Sequence, residues 1–127
     1  MQTTGGERIL IVDDEESITD IVGEVLENHG YRVFASGYGR EALVLCRETT
    51  PPIDLVILDL HLPDISGEDV LDCLEDISPH IKVILSSGYP LTAKTYTMAG
   101  KDIRHFLQKP FRIAELITKV HDALAEK

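Results

Sequence analysis

Five short apolar runs alternate with amphipathic stretches along the chain. The runs are Ile9-Leu10-Ile11-Val12, Val33-Phe34-Ala35, Ile53 to Leu58, Ile81 to Leu85, and Ile103 to Leu107, the last mixed by Arg104 and His105. Continuous apolar runs of this length fit strands buried on both faces, as in parallel sheets. Between them the period changes. Ile18, Ile21, Val22, Val25 and Leu26 fall at i, i+3, i+4, i+7 and i+8, one apolar stripe of a helix that His29-Gly30 ends, with glycine as its C-terminal cap. Ala42, Leu45 and Cys46 mark a second helix, stopped before Pro51-Pro52. Val70, Leu71, Leu74 and Ile77 mark a third, opened by Ser66 as N-cap and closed by Pro79. A polar, threonine-rich fourth helix is expected around Leu91 to Met98, and Ile113, Leu116, Ile117, Val120 and Leu124 make the fifth. Strict alternation of strand and helix predicts an α/β domain, a parallel sheet with helices on both faces and right-handed crossovers. The polar stretch 1–7 reads as a flexible lead-in, and residues 8–127 as one domain without repeats or linkers.

Composition narrows the class. The chain has 127 residues, enough for one domain with its own core, and 43% hydrophobic residues, too many for a disordered segment. Lys+Arg number 12 against Asp+Glu 22, a net charge of −10, which argues against a nucleic-acid surface. Cys46 and Cys73 sit in predicted helices without metal-like spacing and read as reduced thiols. No apolar run approaches the roughly 20 residues of a membrane helix, and the start of the chain is not a signal peptide. A cytoplasmic location is expected, with no membrane contact by this domain. Burial of the helix stripes should leave no long apolar face, so a monomer or weak dimer is expected.

The chemistry concentrates where strands end. In open α/β sheets, ligands bind beyond the carboxyl ends of the strands. Asp13 and Asp14 follow the first predicted strand at once, and Asp59 follows the third. If those strands are neighbours, three carboxylates converge. Like charges so placed raise each other's pKa, and a hard cation such as Mg2+ relieves the repulsion through oxygen ligands. The plainer alternative is that such aspartates merely cap the following helices. Ser87 follows the fourth strand in a Ser86-Ser87-Gly88 turn, and Lys109-Pro110 follows the fifth. A lysine at that edge would pair with a carboxylate or phosphoryl oxygen, and X-Pro bonds are the ones that occur cis.

These pieces together resemble the receiver domain of two-component response regulators. The matching segments are Ile11-Val12-Asp13-Asp14-Glu15, Asp59-Leu60-His61-Leu62-Pro63-Asp64-Ile65-Ser66-Gly67, Ser86-Ser87-Gly88 and Phe106-Leu107-Gln108-Lys109-Pro110-Phe111. Four segments in order at domain-wide spacing make the resemblance specific. It implies a flavodoxin-like (βα)5 three-layer sandwich with strand order 2-1-3-4-5. That order comes from the family, itself a standing example of it, and not from the residues.

The resemblance also implies roles. Asp59 would accept a phosphoryl group from the phosphohistidine of a histidine kinase or histidine phosphotransfer domain. Mg2+, or Mn2+ in its place, would be held by Asp14 directly, Asp13 mostly through water, Asp59 and the backbone carbonyl of His61. Lys109 and Ser87 would take phosphoryl oxygens. Phe106 stands at the switch position, where the family often has tyrosine, and would turn inward as Ser87 moves, altering the face of the fourth helix, fifth strand and fifth helix. His61 and Tyr89 would border the path of a hydrolytic water and lengthen the phosphoryl lifetime. Such a domain phosphorylates and dephosphorylates itself rather than acting as an enzyme on an external substrate. Gly100-Lys101-Asp102 stands where many receivers carry Gly-Ala, which predicts an early end to the fourth helix. The Gly5-Gly6-Glu7-Arg8 lead-in, the Ser-Gly-Tyr turn and the Phe106 to Phe111 stretch are similar to receivers fused to hybrid sensor histidine kinases. A stand-alone response regulator and a degenerate receiver that only binds proteins are the alternatives. An aspartyl-phosphate hydrolase of the haloacid dehalogenase type would want an aspartate where His61 stands.

Overall fold

Arg8–Val12 (β1) lies at the heart of a parallel sheet, flanked by Arg32–Ser36 (β2) on one side and Leu55–Asp59 (β3) on the other. β3 pairs onward with Lys82–Ser87 (β4), and β4 with His105–Gln108 (β5). The order is β2-β1-β3-β4-β5, as the resemblance implied. This computed structural model describes residues 6–89 and 105–126. The predicted fourth helix around Leu91 to Met98, and the connection over residues 100–104, lie outside them. The described helices are Glu16–Asn28 (α1), Gly39–Glu48 (α2), Gly67–Ile77 (α3) and Ile113–Ala125 (α4).

Strand alternation divides the core in two. Leu10, Val12, Val56, Leu58, Leu85 and Phe106 point to the face covered by α2 and α3, where they meet Ala42, Val70 and Leu74. Ile9, Ile11, Leu55, Ile57, Ile84 and Leu107 point to the face covered by α1 and α4, where they meet Val22, Leu26, Leu116 and Val120. Both faces of every central strand are therefore dry, which is why the strands read as continuous apolar runs. Each fully buried Leu or Ile contributes roughly 1.5–3 kcal/mol over leaving it exposed.

Helix ends follow local chemistry. Ser66 Oγ accepts from Asp69 N at 3.1 Å, the N-cap read from sequence. Gly30, at φ 92°, takes the left-handed position after α1, where a side chain would be strained. The first turn of α2 is held from afar: Asp64 accepts from Gly39 N at 2.8 Å and Arg40 N at 3.0 Å. Those backbone bonds, Arg40's first, hold the Asp64 carboxyl below the usual range.

Two positions of the predicted stripes are corrected. Ile21 is 56% exposed and Ile113 is 54% exposed. α1 centres its buried face on Val22 and Leu26, so Ile21, one residue or about 100° round the helix, falls at its edge. Ile113 is the first residue of α4, before the helix settles on the sheet. These two isoleucines stay exposed at the edges of the buried stripes. Among the described residues, no helix is long and apolar enough to cross a membrane.

Candidate functional site

β1 and β3 are neighbours, so Asp13, just past β1, and Asp59, the last residue of β3, meet at one sheet edge. One carboxylate oxygen from each of Asp13, Asp14 and Asp59 lies within 4.8 Å of the others. Asp13 and Asp59 are each 4% exposed, and Asp14 is open to solvent.

Each buried aspartate divides its two oxygens between two jobs. Asp13 Oδ1 accepts from Glu15 N at 2.9 Å, and Asp59 Oδ1 accepts from His61 N at 3.0 Å. These local bonds fix the turns after β1 and β3, and neither aspartate caps the following helix, where Glu15 and Ser66 hold the N-cap positions. The Oδ2 atoms remain for Lys109. Its Nζ lies 2.6 Å from Asp13 Oδ2, 3.3 Å from Asp59 Oδ2 and 3.4 Å from Glu15 Oε1. Burial raises the Asp13 carboxyl above the ordinary value, outweighing the opposing pull of Lys109. Burial alone would lower the Lys109 ammonium, but Asp13 and Asp59 together raise it, so the lysine stays charged. The Lys109–Pro110 bond is cis.

The remaining candidates line the rim. Ser87 is buried, and its Oγ accepts from Tyr89 N at 3.0 Å. Its carbonyl accepts from Lys109 N at 2.8 Å, which ties the turn after β4 to the lysine's own backbone. Phe106 is buried in the core on the α2–α3 side. His61 and Tyr89, both exposed, meet edge to face with ring centroids 4.7 Å apart, bridging the loops after β3 and β4. The sequence reading missed an apolar groove beside the lysine, between α1 and α4, lined by Ile18, Ile21, Val25, Phe111 and Ile113. Its only sequence signal was the surplus of isoleucine at the stripe edges.

Comparison with known proteins agrees with this geometry. The model of the response regulator receiver domain family matches residues 9–121. The chain belongs to that family. The response regulator SaeR of Staphylococcus epidermidis is 35% identical over 125 residues, which cover 92% of this chain and 50% of SaeR. The sensor kinase CckA of Brucella abortus is 31% identical over 124 residues, covering 98% of this chain and 13% of the kinase. The chain thus spans about half the length of the response regulators it resembles. Among solved structures, the signal receiver domain of a putative Luxo repressor protein from Vibrio parahaemolyticus is 31% identical, with a TM-score of 0.84 over 94% of this chain and 90% of that one. The fold and family are therefore those of a two-component receiver.

Proposed function

We propose that this receiver takes up a phosphoryl group on Asp59 and loses it again, as a switch in a two-component phosphorelay. The observation that carries the reading is the buried Asp13–Asp59 pair with Lys109 Nζ set between their free oxygens. An Asp59 oxygen would attack the phosphorus of a phosphohistidine. A P–O bond forms and the P–N bond breaks with its electron pair staying on the ring nitrogen; with the phosphohistidine protonated on its other ring nitrogen, the leaving group is a neutral histidine and the product an aspartyl phosphate. Lys109 opposes the charge on the transferring group, and its fixed placement needs little reorganisation during reaction.

The donor set fits a hard divalent cation: three carboxylate oxygens within 4.8 Å, one of them on a solvent-facing residue beside which bound water can remain. Asp14, Asp13, Asp59 and the His61 carbonyl would hold Mg2+ or Mn2+. When bound, the ion supplies positive charge against the phosphoryl oxygens. Ser87 would take a further phosphoryl oxygen, giving up its bond from Tyr89 N. Phe106 would couple that movement to the face built on β5 and α4. The groove beside Lys109, with Ile21 and Ile113 exposed, offers a helical phosphodonor an apolar seat next to the acceptor.

For the wider protein we favour the receiver of a hybrid sensor histidine kinase, cytoplasmic and monomeric or weakly dimeric in isolation. The match to CckA over 98% of the chain supports this origin, and the match to SaeR supports a response regulator instead. The sequence of the full-length product separates the two. The phosphoryl chemistry is tested by incubating the chain with a small phosphodonor and Mg2+. One base-labile phosphoryl group is expected, abolished by Asp59→Asn; a stable adduct on serine or histidine would refute the reading.

A further inference from the structure

Ser86 extends a sheet face whose interior is apolar. Toward α1 and α4, Ile9, Ile11, Leu55, Ile57, Ile84 and Leu107 form the buried core of that face, and Asp59 stands beside Ser86 at its edge. Ser86 continues that series one step past Ile84, is 3% exposed, and its Oγ has no hydrogen-bond partner among the described residues. Buried hydroxyls are rarely left so.

Its place in the fold points to what it would bind. Ser86 is the register partner of Asp59 on β3 and of Leu107 on β5. Backbone bonds pin both sides of it: Leu60 N donates to Ser86 O at 3.0 Å, and Lys109 N donates to Ser87 O at 2.8 Å. Lys109 starts beyond β5, yet its Nζ reaches Asp13 beyond β1. The two strands between are β3 and β4. The lysine's stem must therefore cross the ends of β4 and β3, which are Ser86 and Asp59 on that face. Drawn out to the carboxylates, the ammonium leaves the serine behind it without a partner.

We propose that Ser86 is a positioning residue for Lys109: its Oγ accepts a hydrogen bond from the ammonium once that ammonium leaves Asp13, and holds it over Asp59 for phosphoryl transfer. This rests on the receiver chemistry proposed above. An ammonium has three donors and no acceptor. In the present arrangement they go to Asp13, Asp59 and Glu15. Asp13, if it held a divalent cation, would give up the shortest of these bonds. The orphan hydroxyl on the lysine's path is then an acceptor already buried and already desolvated.

The test compares wild type, Ser86→Ala and Ser86→Thr. Three quantities are measured: thermal stability without metal, thermal stability with Mg2+ and beryllofluoride as a phosphoryl mimic, and the rate of phosphorylation by acetyl phosphate. Without metal, Ser86→Ala should be as stable as wild type or more so, since it removes a hydroxyl that binds nothing. With Mg2+ and beryllofluoride its stabilisation should fall short of wild type. Its phosphorylation should slow by about tenfold, the worth of a hydrogen bond to a charged group. Ser86→Thr should restore the rate. In wild type, NMR should show the Lys109 ammonium protons close to the Ser86 side chain with beryllofluoride and not without it. An unchanged rate in Ser86→Ala, an equal loss of stability with and without ligand, or no such proximity would overturn the role of Ser86 alone. A wild-type chain that takes no phosphoryl group on Asp59 would overturn both this role and the functional reading.

Discussion

Gly67 is the glycine on which the acceptor loop leans. It opens α3, and a Cβ added there would lie 2.8 Å from Leu60 Cα, 3.0 Å from Leu60 Cδ2 and 3.1 Å from Asp59 O. Carbon atoms in good contact sit about 3.5–4.0 Å apart, so the overlap with Leu60 Cα is roughly 0.7–1.2 Å. Two of the three obstacles are backbone, which cannot swing aside as a side chain would. Overpacking of this kind costs about 1–3 kcal/mol. Alanine's better helix propensity offsets at most about 1 kcal/mol, and less at a first helical position. Gly67→Ala should therefore destabilise the metal-free protein by about 1–2 kcal/mol, a fall in Tm of about 4–10 °C for a domain of this size. Leu60 joins Asp59 to His61, whose N–H holds Asp59 Oδ1. A shift approaching 1 Å there should slow phosphorylation on the order of 10- to 100-fold. The assay is thermal unfolding plus the phosphorylation rate with a small phosphodonor, with Gly88→Ala as the control. Gly88 lies in the site's own rim, but nothing stands within 4 Å of its added Cβ, so that variant should match wild type in Tm. Wild-type stability and rate in Gly67→Ala would refute the packing argument.

Three further expectations follow from the site. Burial raises the folded-state pKa of Asp13, so its ionised form costs stability at neutral pH, and that cost fades as pH falls through the folded pKa toward 3.8. Asp13→Asn should therefore raise the urea midpoint of the metal-free protein at pH 7, with a gain that shrinks on acidification; a lower midpoint at pH 7 would contradict this. Lys109 has the opposite sign: its raised pKa adds stability that is complete below 10.5 and is lost only as pH rises through the folded value. Asp14→Ala should weaken Mg2+ binding, followed by calorimetry, more than Asp13→Ala does, since the solvent-facing Asp14 is free of Lys109 while Asp13 already has a cation at 2.6 Å; equal losses would refute that division. Tyr89→Ala should hasten decay of the phosphorylated form several-fold, on the order of 3- to 10-fold, with unchanged Mg2+ affinity, because Tyr89 and His61 stand edge to face across the loops after β3 and β4; unchanged or slower decay would mean that Tyr89 does not guard the site.

Much of this was legible from residues alone, for a physical reason in each case. A strand buried on both faces must be apolar throughout, so β1, β3 and β4 announced themselves as runs, and the aspartates that close two of them stood out. Ser66 was readable because an N-cap acts over three residues. What escaped the sequence acts at a distance. Asp64 holds the start of α2 from 25 residues away, and nothing in the local pattern of either segment marks that bond. The division of Lys109 between Asp13 at 2.6 Å and Asp59 at 3.3 Å depends on how far a flexible stem reaches across two strands. Ile21 and Ile113 matched the helical period and still face solvent, since periodicity says which face is apolar and not what covers it. The strand order itself came from family resemblance; strand–helix alternation fixes the class and leaves several orders open.

The central claim is that Asp59 is the atom-level acceptor. The most direct measurement traps the phosphorylated protein by borohydride reduction, which converts an acyl phosphate to the corresponding alcohol, and then maps the changed residue by peptide mass spectrometry. Asp59 should be the residue reduced, only after treatment with phosphodonor and Mg2+, and Lys109→Ala should slow its labelling. Reduction at Asp13 or Asp14 instead, or a phosphoryl group that survives borohydride on a serine or histidine, would contradict the account.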